Sequence, residues 1–193
     1  VTAVVPALTA VEVKEEIKEL KGIRAKVQVS LMEDGNLAFQ EEGEIQFRDD
    51  SISGICVMNL SSCLPVSNGG QGTKYEGNKS LINFVPDFST VQLMEFLKLQ
   101  VSMKELTVVD VLETLVKKPL AIHIIKKAGL LPEDKADSLT PIKMVALANL
   151  LRSFSLSPIG KKGWKEAQVT KGGVSLDEIH METMESKLVE GLY

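Results

Sequence analysis
Along residues 23–31 the apolar side chains fall on every second position. Ile23, Ala25, Val27, Val29 and Leu31 share one face, and Arg24, Lys26, Gln28 and Ser30 share the other. A period of two marks a strand that is buried on one side and wet on the other. This stretch therefore belongs to a sheet that covers a core. After Pro86 the period lengthens to that of a helix, and near Ser155 strand signals return. The order strands, helices, strands predicts an α+β fold. An antiparallel, barrel-like sheet is built from residues 1–86 and 155–193, interrupted by an inserted small α-helical subdomain over 87–154.

The sheet half carries further signals. Asp34-Gly35 is the tight pair of a hairpin turn, and Leu37, Phe39, Ile45 and Phe47 continue the meander across Glu41-Glu42-Gly43-Glu44. Ser51 to Ser62 is a nearly continuous apolar run. It fits either a buried strand or a short helix with Ser53 near its start, because periodicity does not separate the two. Pro65 to Ser80, rich in Gly, Asn and Ser, reads as a loop, and Leu81 to Val85 as another strand. Glu166 to Thr170 alternates, with Gly172-Gly173 at a tight bend after it.

Four helices are predicted between the two sheet segments. Ser89 to Gln92 has the pattern of a capping box, with Met94, Leu97 and Val101 on one face behind it. Thr107 and Asp110 repeat that pattern before Val108, Val111, Leu112 and Leu115. Pro119 suits the first turn of a third helix, through Ile122, Ile125 and Ala128, which Gly129 would end. Thr140-Pro141 opens the fourth, with Ile142, Val145, Ala146, Leu150 and Phe154 expected to point inward.

Net charge is −4, with both signs interspersed, which gives no electrostatic footprint for nucleic acid or an anionic membrane. No apolar run reaches the length of a membrane span. Two cysteines are too few for a disulfide framework or a zinc site, and Cys56, in an apolar setting, reads as a buried free thiol. A cytoplasmic, reduced protein that binds no nucleic acid and no membrane is the expectation. The apolar start at Val1, and Leu192-Tyr193 read as the first residues of a strand, lead us to expect that both ends are cuts in a longer chain.

The tail from Lys162 to Tyr193 resembles a signature of the BaiN-like, or aminoacetone-oxidase-like, flavoproteins, a family of NAD(P)/FAD-dependent oxidoreductases. The stretch from Gly43 to Ser62 is similar to the family's middle segment, and Pro6 to Gly35 to the stretch that follows the first part of its flavin domain. The resemblance implies a parent enzyme in which FAD carries hydride to or from a small-molecule substrate. It also implies that this chain is the inserted cap region, with the flavin-binding domain of the same parent chain as its partner. A Gly-x-Gly-x-x-Gly fingerprint opening a helix is missing, and the nearest glycine cluster, Ser67 to Gly77, reads as a loop. No FAD is expected to bind this fragment alone, which should be catalytically silent. Arg48, Ser51, Asp49 and Asp50 depart from the family's pattern. The alternative is a free-standing β-barrel interaction module without catalysis.

Candidate site residues follow from the same resemblance. Ser53-Gly54 would present backbone donors and a hydroxyl to the flavin or a substrate, or else simply cap a helix or kink a strand. Thr170, Gly172 and Gly173 would line the cavity where the insert meets the flavin, or else form a plain turn. His123, among isoleucines, reads as a structural side chain near a boundary, and His180 as exposed. Trp164 and Tyr75 read as packing anchors. No nucleophile–histidine–acid set and no metal-ligand spacing is visible, so no catalytic or metal-binding residue is assigned.

Overall fold
In the computed structural model, residues 1–65, 75–103 and 105–193 are described. The strands are β1 (Thr2–Ala7), β2 (Val11–Val13), β3 (Arg24–Glu33), β4 (Asn36–Phe47), β5 (Ser51–Ser53), β6 (Lys79–Asn83), β7 (Phe154–Leu156), β8 (Pro158–Lys161) and β9 (Val169–Gly173). The helices are α1 (Ile55–Cys63), α2 (Thr90–Val101), α3 (Val108–Glu113), α4 (Lys118–Lys127) and α5 (Pro141–Arg152). The alternation along residues 23–31 is a strand, with Val27, Val29 and Leu31 fully buried. Asp34 and Gly35 both take positive φ, 48° and 82°, as a two-residue turn between antiparallel strands requires.

Seven strands form one antiparallel sheet in the order β7-β6-β3-β4-β5-β2-β8. Its two edge strands are consecutive in the chain, separated by Ser157 alone. The first half of this bent segment pairs with β6 and the second half with β2. Lys14 N–H donates to the Ser157 carbonyl at 3.0 Å, and Ser157 N–H donates to Glu15 Oε2 at 2.8 Å. One kinked strand thus bridges both edges and gives the sheet a barrel-like closure, each half of it paired on one side. The sheet that the alternation implied is therefore closed by a segment whose own pattern is too short to announce it.

The helices close one side of the core. Ser89 and Thr107 each form a complete capping box, with Gln92 and Asp110 reaching back. At the end of α4, Leu130 N–H bonds the Ile125 carbonyl and Gly129 N–H bonds that of Lys126, with Gly129 at φ 71°. That pair of bonds satisfies carbonyls the helix would leave orphaned. Buried residues of barrel and helices form one cluster, from Val11 and Phe47 to Leu112, Ile124 and Leu151. Among the described residues no helix is long and apolar enough to cross a membrane.

Several expectations need correction. β4 runs straight through Glu41 to Glu44, paired residue by residue with Val29 to Lys26 of β3, and Gly43 lies under α1, where a Cβ would stand 3.0 Å from that of Cys56. The run from Ser51 is both alternatives in turn: three residues of strand, then a helix with Gly54 at its N-cap and Ser53 just before it. On α5, Met144, Leu147, Ala148 and Leu151 face inward, while Ile142 is 82% exposed and Val145 points out too. This helix is apolar on both sides, so periodicity alone chose the wrong face. Phe154 is buried but belongs to β7. Gly172 and Gly173 lie inside β9, not at a bend after it, and Trp164 is exposed, not a packing anchor. Leu192 and Tyr193 are exposed and in no strand. The glycine cluster from Ser67 falls, up to residue 74, outside the described residues.

Candidate functional site
β1 and β9 form a separate antiparallel ribbon, with Thr2 opposite Gly173 and Ala7 opposite Val169. Beyond it, Gln168 N–H bonds the Leu8 carbonyl and Lys162 N–H that of Ala10. The path into the barrel, from β1 to β2, and the path out, from β8 to β9, therefore run side by side. Thr170 sits on this ribbon, exposed, opposite Pro6.

Ser53 and Gly54 lie at the junction of β5 and α1. Gly54 has φ 108° and ψ 159°, and no side chain caps the helix it starts. A Cβ there would stand 2.0 Å from the Glu44 carbonyl oxygen, and one on Gly172 would stand 2.0 Å from that of Ala3. Both glycines are thus demanded by neighbouring backbone. Gly173, at φ 121°, has open space beside it. No hydrogen bond among the described residues joins Ser53 or Gly54 to β9.

The helix between these groups is held from its far end by cations, a feature that no sequence motif marks. Lys171 Nζ donates to the Ser62 carbonyl at 2.8 Å, and Lys161 Nζ to those of Ser61 and Leu64 at 3.2 and 3.4 Å. These are the orphan acceptors at the negative end of the helix dipole. Burial, and to a lesser degree the neighbouring Lys171, pushes the Lys161 ammonium below the usual lysine range. At the opposite, positive end Gly54 is backed by the Glu44 carbonyl, Cys56 and Val57 are buried, and Ile55 is exposed.

Arg48, Asp49 and Asp50 each have a partner within the chain. Arg48 pairs with Glu166, Asp49 with Lys21 at 2.7 Å, and Asp50 with Lys162 at 2.7 Å. Lys162 also bonds Glu12 at 2.9 Å. The hydrogen bond from Lys162 holds the Asp50 carboxyl below its ordinary range, and Asp50, then Glu12, push Lys162 above its own. A depressed carboxyl adds stability above its unfolded pKa and loses it as pH falls through the folded value. A raised lysine adds stability below its unfolded pKa and loses it as pH rises through the folded one. The cluster therefore contributes across the neutral range. Lys162→Met should bring the Asp50 titration back up toward the ordinary carboxylate range, followed through its carboxyl carbon shift. It should cost only about 1 kcal/mol, because Asp50 is largely exposed.

His123 touches Glu19 in the turn before β3, with Lys126 Nζ at 3.7 Å from the same carboxylate. Helix α4 is thereby tied to the barrel, which fits a structural histidine at a boundary. The contact with His123, followed by the charges of His123 and Lys126, lowers the Glu19 carboxyl. Cys56 is buried and Cys63 exposed, both as free thiols. Burial pushes the Cys56 thiol up, which keeps it from forming the reactive thiolate. A thiol-reactive reagent should therefore titrate one cysteine in the native chain and the second only after denaturant, and Cys63→Ser should abolish the first phase.

Residues 5–169 match the model of the HI0933-like protein barrel and H2TH domain. The chain belongs to this family. The barrel and the helices of the HI0933-like domain are the two parts described above, and the family is the flavoprotein group that the tail and middle segment resemble. Across 98% of its length the chain is similar, at 26% identity, to the 3-dehydro-bile acid delta(4,6)-reductase of Clostridium scindens, of which it covers 46%. It is 29% identical to the ribosomal RNA dihydrouridine synthase of Escherichia coli over 93% of this chain and 40% of the relative. The enzyme of the same name from Haemophilus influenzae is 27% identical over 78% of the chain and 34% of the relative. The chain spans less than half the length of each of these relatives.

Proposed function
We propose that this HI0933-like chain is the inserted substrate and cap region of an FAD-dependent oxidoreductase, with residues 87–154 as its helical subdomain. The observation that carries this reading is the β1–β9 ribbon. It sets the way in and the way out of the barrel next to each other, as an insertion into a parent domain requires. The relatives, each more than twice as long as the stretch they share with this chain, support it. So do the exposed apolar side chains Val4, Val169, Val174 and Leu176 on and after the ribbon, a patch that suits a domain partner.

Among the described residues, the one strand–glycine–helix junction does not fit FAD by itself. The strand–Gly54–helix junction has a single glycine, and the space its hydrogen leaves is filled by the Glu44 carbonyl, not open to a pyrophosphate. FAD bound by the flavin domain would supply hydride transfer, with NAD(P)H as reductant. Ser53-Gly54 and Thr170, Gly172 and Gly173 would face that domain, the α1 start offering backbone donors and the ribbon shaping the cavity wall. The small-molecule side of this reading matches the bile-acid relative, and an aminoacetone-type amine is the other small substrate the family resemblance offers. A second reading, an RNA substrate, is favoured by the two ribosomal RNA relatives.

The experiment compares the 193-residue chain with the product of the complete reading frame. The longer protein should hold FAD stoichiometrically and oxidise NADPH, and the chain alone should do neither. FAD retained by the chain itself would contradict the insert reading. A stop codon directly after Tyr193 would favour the free-standing module.

A further inference from the structure
Where the barrel meets the helices there is a cleft of about 520 Å³, within the ~300–1,000 Å³ of small-molecule sites. Its floor is Phe84 and Val85, both buried. One wall is the edge-to-face pair Phe88 and Phe96, with ring centroids 5.9 Å apart and planes at 64°. Both rings are half-buried, so each keeps surface toward the opening. Arg24, Lys26 and Lys117 stand around the opening, with Glu44 and Asp87 as the carboxylates.

The charges are not all satisfied within the chain. Arg24 bonds Glu44 at 3.1 Å, while Lys26 lies 3.9 Å from Asp87 with both side chains in solvent. That second pair is long and exposed and contributes little. Lys117 has no carboxylate partner among the described residues. A half-exposed aromatic wall beside cations is the combination that binds a base by stacking and its phosphate by charge. Neither a steroid-like ligand nor a bare anion would use both.

The geometry points to this cleft as a binding site for a nucleotide unit, its base against Phe88 and Phe96 and its phosphate near Lys117 and Lys26. The cleft shares no lining residue with the ribbon or with Ser53-Gly54, and it does not depend on the flavin reading. Nucleotide chemistry has two sources, a free mononucleotide or one residue of an RNA strand. The overall charge of −4 argues only against broad electrostatic capture, not against one local site.

The test is fluorescence anisotropy of the 193-residue chain with a labelled oligouridine of about ten nucleotides, at two salt concentrations. Binding is expected at about 1–100 μM. Phe96→Ala should weaken it about ten-fold, and Phe88→Leu, which keeps the packing volume, several-fold. Lys117→Met should weaken it and lower the salt slope by about one, whereas Lys187→Met, in the distant tail, should change nothing. Displacement by uridine monophosphate assigns the site to the free nucleotide, and binding that resists it assigns the site to the strand. The inference is overturned if the oligouridine does not bind. It is equally overturned if an abasic phosphodiester strand binds as well, or if Phe88→Leu and Lys117→Met leave affinity unchanged.

Discussion

Gly54→Ala should lower the urea midpoint of this chain by about 1–2 M, the effect of roughly 3–5 kcal/mol at the slopes usual for domains of this size. Two costs add. At φ 108° and ψ 159° the backbone occupies a region that is almost closed to residues with a Cβ, worth about 1–3 kcal/mol. The new methyl would also sit 2.0 Å from the Glu44 carbonyl oxygen and 3.0 Å from its carbon. These are backbone atoms of the central strand β4, so nothing flexible can give way. Relief would require β5 to leave its register, in which Gln46 stands opposite Ser53, or α1 to lift from the barrel. Gly172→Ala is the informative partner. Its Cβ meets the Ala3 carbonyl just as closely, but the ribbon lies outside the seven-stranded sheet. It should speed amide exchange in β1 and β9 while leaving the midpoint within about 0.3 M of wild type, since local openings of peripheral elements do not report on the core. A small shift for Gly54→Ala would mean that the β5–α1 junction is not fixed by this glycine.

How far the sequence speaks depends on how local each signal is. The period of two along β3, the Asp34-Gly35 turn, both capping boxes and the Gly129 stop are contacts between near neighbours, and all appear where the residues put them. Barrel closure is a contact between β8 and β2, about 150 residues apart in the chain, made by strands of three and four residues. No period can be read from so few positions. The α5 error is of another kind. Ile142 and Val145 make as good a stripe as Met144, Leu147 and Leu151, and only the fit against α2 and the sheet decides which is covered. Of the candidate site, the glycines could be named from the sequence but their geometry could not. Gly54, Gly172 and Gly173 take positive φ, yet the carbonyl beside Gly54 comes from β4, nearby in the chain, and that beside Gly172 from β1 at the other end of it, and no spacing in the sequence announces either approach. The lysines that cap α1 were unmarked because each reaches across the fold to a main-chain carbonyl, a partner with no side-chain signature. The cleft residues were equally silent, since Arg24 and Lys26 read as the wet face of β3 and Phe96 falls off the stripe of Met94, Leu97 and Val101.

Phe154→Ala carries the second large effect, because that ring joins the two halves of the fold. Phe154 is fully buried, pairs with Ile82 in the strand that closes the barrel, and stacks edge-on against Phe84 at 5.7 Å. From the helical side His123 lies 5.7 Å away and Lys127 Nζ sits 5.2 Å over the ring. Removing a buried phenylalanine costs about 3–5 kcal/mol through lost transfer energy and the cavity left behind. The distribution of that loss is the sharper prediction. Helix α4 is held to the barrel by this ring and by the His123–Glu19 contact, so amides of Ile124 and Ile125 should lose more protection than those of Val27 and Val29 in β3. Lys127→Met, which deletes only the cation above the ring, should cost about 0.5–1 kcal/mol and leave that ranking unchanged. If the amides of α4 and β3 lose protection equally in Phe154→Ala, barrel and helices open as one cooperative unit. The ring would then be an ordinary core residue and not the joint between them.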